Sequence, residues 1–203
     1  MASEPSSSRR YRGTAADERR AQRRCQLITA AIAVYGERGY RQATVKAVCE
    51  AAGLTERYFY ESFENSEALL LASYQAVLHA LLTELAEAGQ AAGRARRARV
   101  RAMLRAYFHS LQRDPRSARV YLVEIRGVSP AVDHALDASL REFGRGLARE
   151  LAPDAPADDL LTAGVVGGVM HVALRWIADG YRPGLDAVTD TAMQIIQPLS
   201  SRR

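Results

Sequence analysis

Residues 27–70 read LITAAIAVYGERGYRQATVKAVCEAAGLTERYFYESFENSEALL, and this stretch decides the fold. Its apolar periodicity predicts the end of a long helix, then a short helix, a glycine turn, a second short helix rich in aromatic residues, and the start of another long helix. This order is typical of a helix-turn-helix with a supporting helix in front, a unit that places its second short helix in a DNA major groove. The stretch therefore favours a transcription regulator.

Capping residues divide the whole chain into helices. Gly39 and Gly53 end helices, whereas Thr44 and Thr55 begin them. No segment shows sustained two-residue alternation, so we predict an all-α chain of about nine helices. The expected spans are 16–38, 45–52, 56–63, 67–88, 94–113, 115–126, 129–151, 157–179 and 184–199. We group them as a disordered basic arm (1–15), a three-helix DNA-binding domain (16–65) and a helical effector-binding and dimerisation domain (66–203).

Composition favours a globular protein with an anionic partner. Hydrophobic residues make up 48% of the 203 residues, and the net charge is +5. The sequence has no metal-ligand cluster, no phosphate-binding glycine loop and no recognisable nucleophile–base arrangement, so we expect no metal, no cofactor and no catalytic residue. A small helical enzyme stays an alternative, because titratable residues distant in sequence can converge in space. No signal peptide or membrane-spanning apolar run is evident, which favours a cytoplasmic protein without membrane contact.

The helix-turn-helix suggests which side chains meet DNA. Phe59 and Phe63 lie on one helical face and should pack inside the unit. Arg57 is the best candidate for a base contact, because a guanidinium pairs with guanine O6 and N7. Packing for the tyrosines and a solvated Arg57 are the structural alternatives. The full set of candidates for contact with double-stranded operator DNA is Thr44, Lys46, Thr55, Glu56, Arg57, Tyr58, Tyr60, Ser62 and Ser66.

These residues resemble the tetracycline-repressor (TetR) family over roughly the first third of the chain. The matching segments are Glu37-Arg38-Gly39-Tyr40, Thr44-Val45-Lys46, Ala51-Ala52-Gly53-Leu54-Thr55, Tyr60-Glu61-Ser62-Phe63 and Glu67-Ala68-Leu69. The resemblance implies a homodimer, a palindromic operator and a divergent C-terminal domain whose small-molecule ligand usually relieves repression. A regulator without ligand response, or an activator, is the alternative within the same fold.

Two positions depart from the family pattern. The basic N-terminal arm could supply DNA contacts in their place. The family commonly has a phosphate-holding lysine where this chain has Ser66, and an aromatic residue or histidine where it has Ser62. The arm could reach an adjacent groove, as homeodomain arms do, or could be a solubilising tail. Its arginines are Arg9, Arg10, Arg12, Arg19, Arg20, Arg23 and Arg24.

The C-terminal two-thirds has no sharp motif. Its candidates for contact with an unknown effector mix apolar bulk with a few polar groups, and ordinary core packing is the alternative for each. They are Met103, Tyr107, Phe108, Tyr121, Glu124, Met170, His171 and Trp176. Gly164, Gly167 and Gly168 interrupt an apolar helix, which indicates close approach by a second subunit, by a ligand or by a neighbouring helix. The last helix carries an apolar surface suited to dimerisation: Val188, Met193, Ile195, Ile196 and Leu199.

A run of arginines lies in the first half of the predicted helix 94–113 of the C-terminal domain. It comprises Arg94, Arg96, Arg97, Arg99, Arg101 and Arg105. Without an acid among them, these side chains could bind an anionic effector such as an acyl-CoA, or a nucleic acid, or could form a solvated helix face. In the resembled fold this helix begins far from DNA, which argues against operator contact.

Overall fold

The computed structural model describes residues 7–151 and 158–197, with side chains from residue 17 onward. Within these ranges the protein contains nine α-helices and no strand, which confirms the all-α prediction. The helices are α1 (Ser7–Arg38), α2 (Val45–Ala52), α3 (Glu56–Ser62), α4 (Ser66–Ala91), α5 (Arg96–Arg113), α6 (Pro115–Arg119), α7 (Pro130–Leu151), α8 (Asp159–Ala178) and α9 (Leu185–Ile195). A 3₁₀ turn (Tyr40–Gln42) separates α1 from α2, and a π-helical turn (Val120–Glu124) extends α6.

Two elements differ from their predicted spans. Helix α1 begins at Ser7 instead of residue 16, so the arm expected to be disordered is helical from there on. Residues 7–15 contain no proline, and their three arginines and Ala15 are good helix formers. The rest of the predicted arm, 1–6, lies outside the described residues. The single helix predicted over 115–126 instead changes from α-helical to π-helical pairing at Val120.

Capping chemistry fixes the turn between α2 and α3. The Thr44 hydroxyl accepts a hydrogen bond from the backbone N–H of Ala47 at 3.1 Å, which begins α2. Gly53 ends α2 with φ at +66°, a left-handed conformation that disfavours side-chained residues. Thr55 occupies the N-cap position of α3 without a side-chain cap hydrogen bond. The sequence order Thr, Gly, Thr therefore sets where both short helices start and stop.

The chain divides into two compact units, 1–73 and 74–203. In the first unit α1 packs against α2 and α3. Leu27 and Tyr35 of α1, Val48 of α2, and the pair Phe59 and Phe63 are buried in this small core. The two phenylalanine ring centroids lie 6.0 Å apart, as their spacing of four residues predicts. This apolar core holds α3 against its supporting helices.

In the second unit, helices α5, α7, α8 and α9 pack on one another. Helices α7 and α8 approach each other closely at Gly144, where an added Cβ would lie 2.5 Å from Cγ2 of Thr162. Ion pairs also tie α5 to its neighbours: Arg99 pairs with Glu150 of α7, and Arg105 pairs with Asp186 of α9 at 3.0 Å. These contacts bind the helices of the second unit into one body.

Helices α4 and α8 are long and apolar enough to cross a membrane by length and composition alone, contrary to the sequence expectation. Core helices of globular proteins pass the same test. Seven side chains of α8, among them Val169, Ala173 and Trp176, are buried within the second unit. Packing against α7 and α9 therefore accounts for part of the apolar character of α8.

Candidate functional site

Arg57 stands on the solvent side of α3 with its side chain 83% exposed. Its Nε donates a hydrogen bond to Oε1 of Glu61, one helical turn further on, at 3.1 Å. Glu61 also approaches Arg23 of α1, with 3.8 Å between Oε2 and the guanidinium nitrogen. A single carboxylate thus faces two arginines. The sequence predicted the exposure of Arg57, but it did not identify Glu61 as a partner.

The two tyrosines of α3 have different environments. Tyr58 is half-buried, and the guanidinium of Arg23 lies over its ring at 4.5 Å from the centroid. Tyr60 is 62% exposed and makes an edge-on contact with Phe59, at 5.1 Å between ring centroids. Packing therefore occupies one face of Tyr58, whereas Tyr60 has a largely solvent-accessible ring at the protein surface.

The remaining candidates for DNA contact lie at the starts of α2 and α3 and are exposed. Thr44 and Lys46 lie at the beginning of α2, and Lys46 is within 3.9 Å of Glu50. Thr55 and Glu56 lie at the beginning of α3. First-turn N–H groups and the positive end of each helix dipole favour a phosphate at such positions. The structure thus places two helix starts and their polar side chains at the surface of the first unit.

The two serines differ from the expectation that each could hold a phosphate directly. The Ser62 hydroxyl is buried and meets no hydrogen-bond partner among the described residues, so it is shielded from a phosphate. The Ser66 hydroxyl lies 3.2 Å from that of Tyr40 and is partly buried. Arg24 donates to the carbonyl oxygen of Ser62 at 3.3 Å and covers the ring of Phe63 at 4.2 Å. The end of α3 is therefore packed by α1.

A small apolar cavity of about 30 Å³ lies in the second unit. Four of the eight predicted effector residues line it: Met103, Tyr107, Tyr121 and Met170. Two others belong to the core instead. Phe108 packs edge-on against Trp176, with ring centroids 5.6 Å apart, and the indole N–H of Trp176 donates to the carbonyl oxygen of Pro183 at 2.5 Å.

The last two predicted effector residues lie away from this cavity. His171 is exposed on α8 and lines an open groove of about 520 Å³ between α7 and α8. Gly167 and Arg175, four positions before and after it, are also exposed, which places His171 on the solvent side of the helix. Glu124 is largely buried but accepts from Nε of Arg119 at 2.7 Å, which compensates its charge within the subunit.

Burial perturbs the phenols around the cavity. Desolvation raises the pKa of Tyr107 well above its ordinary value, and the neighbouring Tyr121 adds to this rise. Burial likewise raises the pKa of Tyr121, with Tyr74 as a further cause. The positive charge of Arg126 opposes both shifts but does not cancel them. At neutral pH the phenols are therefore protonated and can donate hydrogen bonds.

Known proteins match both the helix-turn-helix and the whole fold. Residues 27–73 match the model of the family described as bacterial regulatory proteins, tetR family. The helix-turn-helix segment of the chain is therefore similar to that of the tetR family. The curated HTH-type transcriptional repressor KstR2 of Rhodococcus jostii (strain RHA1) is 24% identical over 177 residues, covering 83% of this chain and 84% of its own. These matches support a DNA-binding transcription regulator, and α3 is the second short helix of the matched segment.

Solved structures similar to this regulator share its fold. The fatty acid degradation regulator FadR from Bacillus halodurans has a TM-score of 0.74 and 21% identity, with 89% of this chain and 97% of that chain covered. FadR from Bacillus subtilis, solved in complex with stearoyl-CoA, has a TM-score of 0.73 and 20% identity, with 87% and 97% covered. At such identities the likeness establishes the helical architecture, and the ligand belongs to that relative.

The arginine run and the glycines of this regulator have specific partners. Arg99, Arg101 and Arg105 pair with acids of α7 and α9, so half of the run ties helices together and is not a free anion site. Gly168 packs in the subunit, because a Cβ there would lie 3.2 Å from Cγ2 of Ile195. A Cβ on Gly164 would meet nothing within 4 Å. The glycine stretch thus serves packing on one side of α8 and is open on the other.

The last helix of this regulator contributes more to its own core than the sequence indicates. Val188 and Ile196, predicted to form a dimerisation surface, are each 2% exposed. Met193 and Ile195 are half-buried, and Leu199 lies outside the described residues. No group of three or more His, Cys, Asp or Glu side chains suited to a metal ion occurs in the part of the chain that the structure describes.

Proposed function

We propose that this regulator is a cytoplasmic homodimeric repressor that leaves a palindromic operator when a small-molecule effector binds its second unit. The small apolar cavity in that unit carries the proposal of ligand control, because a close-packed core has few voids of even one water molecule. Two similar proteins support the assignment: the relative KstR2 is a repressor, and the FadR of Bacillus subtilis holds stearoyl-CoA. The protein acts by binding and not by catalysis.

For DNA contact we propose that different residues of the first unit bind bases and phosphates. Arg57 reads a base edge in the major groove, while Lys46, Tyr60 and the helix starts at Thr44 and Thr55 hold phosphates. Ser66 contributes through Tyr40 and the N-terminus of α4 rather than as a direct substitute for lysine. Contacts by the arginines in the first turns of α1 stay a prediction, since their side chains are not described.

For dimerisation we propose the open face of α8. Leu160 is 88% exposed there, and Gly164, one turn further on, has open space above it. An exposed leucine beside a glycine allows a second helix to approach closely. A twofold dimer would present its two recognition helices to major grooves about one helical turn apart, roughly 34–36 Å.

For release we propose a population shift. The effector favours a dimer whose recognition helices do not match two successive grooves, and operator DNA favours the other state. Linkage then requires that operator DNA weaken effector binding by the same factor by which the effector weakens operator binding. Equal effector affinities with and without operator would contradict this mechanism.

The test is selection of bound sequences from random duplex DNA at one stated salt concentration near physiological. We expect an enriched palindrome with half-sites about one turn apart. The control is the double variant Lys46→Ala and Arg57→Ala, which should enrich no motif while it keeps its helical circular dichroism. If the wild-type protein, refolded to remove any bound ligand, also enriched no sequence, the proposal of an operator-binding repressor would be wrong.

A further inference from the structure

We propose that the effector is an apolar molecule ending in an acyl oxygen acceptor, a carboxylate or a thioester carbonyl, which accepts a hydrogen bond from the Tyr107 hydroxyl. The inference rests on the proposed function, because it names the class of ligand that the small apolar cavity takes. The shape and lining of the cavity, the unpartnered Tyr107 hydroxyl and the charge of Arg126 each support it.

The cavity lining is apolar apart from two phenols. Its wall includes Leu85, Val100, Met103, Tyr107, Tyr121 and Met170. At about 30 Å³ it has room for roughly one water molecule, so a larger ligand must open it. Methionine side chains are unbranched and flexible, which makes Met103 and Met170 the parts of this wall that yield most readily. An apolar chain is the ligand portion that such a wall favours.

Tyr107 carries a polar atom that the fold itself leaves without a partner. Its side chain is 5% exposed, and its hydroxyl meets no hydrogen-bond partner in the described part of the chain. Such a group normally costs stability, since it has lost water without gaining a replacement. A phenol hydroxyl can donate or accept, so its missing partner can be either kind of group. A ligand oxygen is the partner that the nearby positive charge of Arg126 favours, whereas an ammonium group is repelled and an alkane offers no polar atom.

Arg126 makes the site favour a negatively charged ligand group over a positively charged one. Its positive charge acts on Tyr74, Tyr107 and Tyr121, so it lies near the phenols at the cavity. Its Nε donates to the carbonyl oxygen of Leu122 at 3.0 Å, and a terminal nitrogen lies 3.9 Å from the sulfur of Met170. A negative or partly negative oxygen is stabilised there, and a cation is repelled.

Met170 and Val166 form a wall between the cavity and the open groove. Both residues line the cavity and also the groove of about 520 Å³ on whose surface Arg126 lies. The other charged or titratable groups of the groove are Asp137, Arg141, Asp159 and His171, and Asp159 is paired with Arg145 at 3.0 Å. A rotation of Met170 would join the two spaces into one.

The experiment measures binding to the full-length protein in the absence of DNA, by isothermal titration below the micellar range. Three probes share one chain length: dodecanoate, dodecanoyl-CoA and dodecylammonium. We expect dodecanoate or dodecanoyl-CoA to bind, and the tighter of the two identifies the source of the acyl group. Dodecylammonium should bind at least tenfold more weakly than the acyl probe. Comparable binding of the cation, or no binding of either acyl probe, would overturn the proposal.

Two variants test how much the Tyr107 hydroxyl, as distinct from its ring, contributes to ligand binding. Tyr107→Phe should weaken the acyl probe about tenfold, as for one lost hydrogen bond, yet leave the free protein's Tm equal or higher because it removes an unsatisfied polar atom. Tyr181→Phe, a matched control on a tyrosine outside the cavity lining, should leave probe affinity unchanged. Unchanged binding by Tyr107→Phe, or a lowered Tm of the free variant, would refute the assignment. An operator motif obtained independently would still support the proposed repressor in that event.

Discussion

Arg57 and Glu61 form an ion pair along the exposed side of α3, with 3.1 Å between Nε and Oε1. The same carboxylate lies 3.8 Å from Arg23 of α1. Exposed pairs of this kind contribute at most about 1 kcal/mol, so DNA can compete for both arginines. Glu61 therefore orients the proposed base-reading side chain while it also opposes the approach of phosphate.

The first prediction concerns Glu61→Gln. The change removes one negative charge beside the DNA and frees Arg23 for a phosphate, so it should tighten binding to non-specific DNA and steepen the salt slope by about one. The operator should gain less, because Arg57 loses the partner that orients it, and the ratio of specific to non-specific affinity should fall. Titrations of operator and scrambled duplex at several salt concentrations measure both quantities.

Glu64→Gln is the matched control for this experiment. Glu64 is exposed, follows Glu61 by three residues, and takes part in no ion pair within the described residues. The control removes the same charge without releasing an arginine, so it should change both affinities in parallel. If the two variants lowered the specificity ratio equally, Glu61 would contribute only its charge.

The second prediction compares base and phosphate contacts. Arg57→Ala should cost about 1–3 kcal/mol on the operator and relax preference at one base pair. Lys46→Ala should weaken all sequences alike and lower the salt slope by about one. Selection from randomised operators with each variant measures the difference. An unaltered sequence preference in Arg57→Ala would assign base reading to another residue of α3.

Most of the fold follows from local signals in the sequence. Thr44, Gly53 and Thr55 mark the starts and stop of the short helices because capping depends on neighbouring residues alone. Phe59 and Phe63 are buried as their spacing predicts. Relations between helices could not be obtained in this way. The partner of Arg23 is 38 residues away, and nothing local indicates that Gly144 touches Thr162.

Burial of individual residues was the weakest part of the site prediction. His171 and Met170 are adjacent on α8, yet one is exposed and the other lines the cavity. Helical periodicity defines a stripe, but an apolar helix with glycines leaves the orientation of that stripe undetermined. The buried Ser62 hydroxyl has the same cause, since α1 covers the end of α3 through Arg24. Tertiary contacts, which sequence periodicity does not contain, decide such cases.

The third prediction concerns the contact between α7 and α8. An alanine at Gly144 would place its Cβ 2.5 Å from Cγ2 of Thr162, a buried and β-branched side chain with little rotamer freedom. Overpacking of this kind costs about 1–3 kcal/mol, which exceeds the roughly 1 kcal/mol that alanine gains in a helix. Gly144→Ala should therefore lower the free energy of unfolding, measured by urea denaturation.

Gly146→Ala provides the control in the same helix. A Cβ at Gly146 meets nothing within 4 Å, so the helix propensity of alanine acts alone. We expect this variant to be more stable than the wild type by up to about 1 kcal/mol. Equal stability of the two alanine variants would mean that α7 and α8 can separate without cost, contrary to the tight contact at Thr162.

The fourth prediction concerns the dimer. Leu160 on α8 is 88% exposed, and Gly164 beside it leaves room for a second helix. Leu160→Arg should place two cations across a twofold axis and remove two buried leucines, each contributing about 1.5–3 kcal/mol, so the dimer dissociation constant should rise at least a hundredfold. Sedimentation equilibrium measures this constant, and the control Leu82→Arg, on the partly exposed side of α4, should leave it unchanged.

Because each half-site contact alone is weak, Leu160→Arg should also lose operator binding at concentrations where the wild type is saturated. A dimer constant equal to that of the wild type would exclude this face of α8 as the interface.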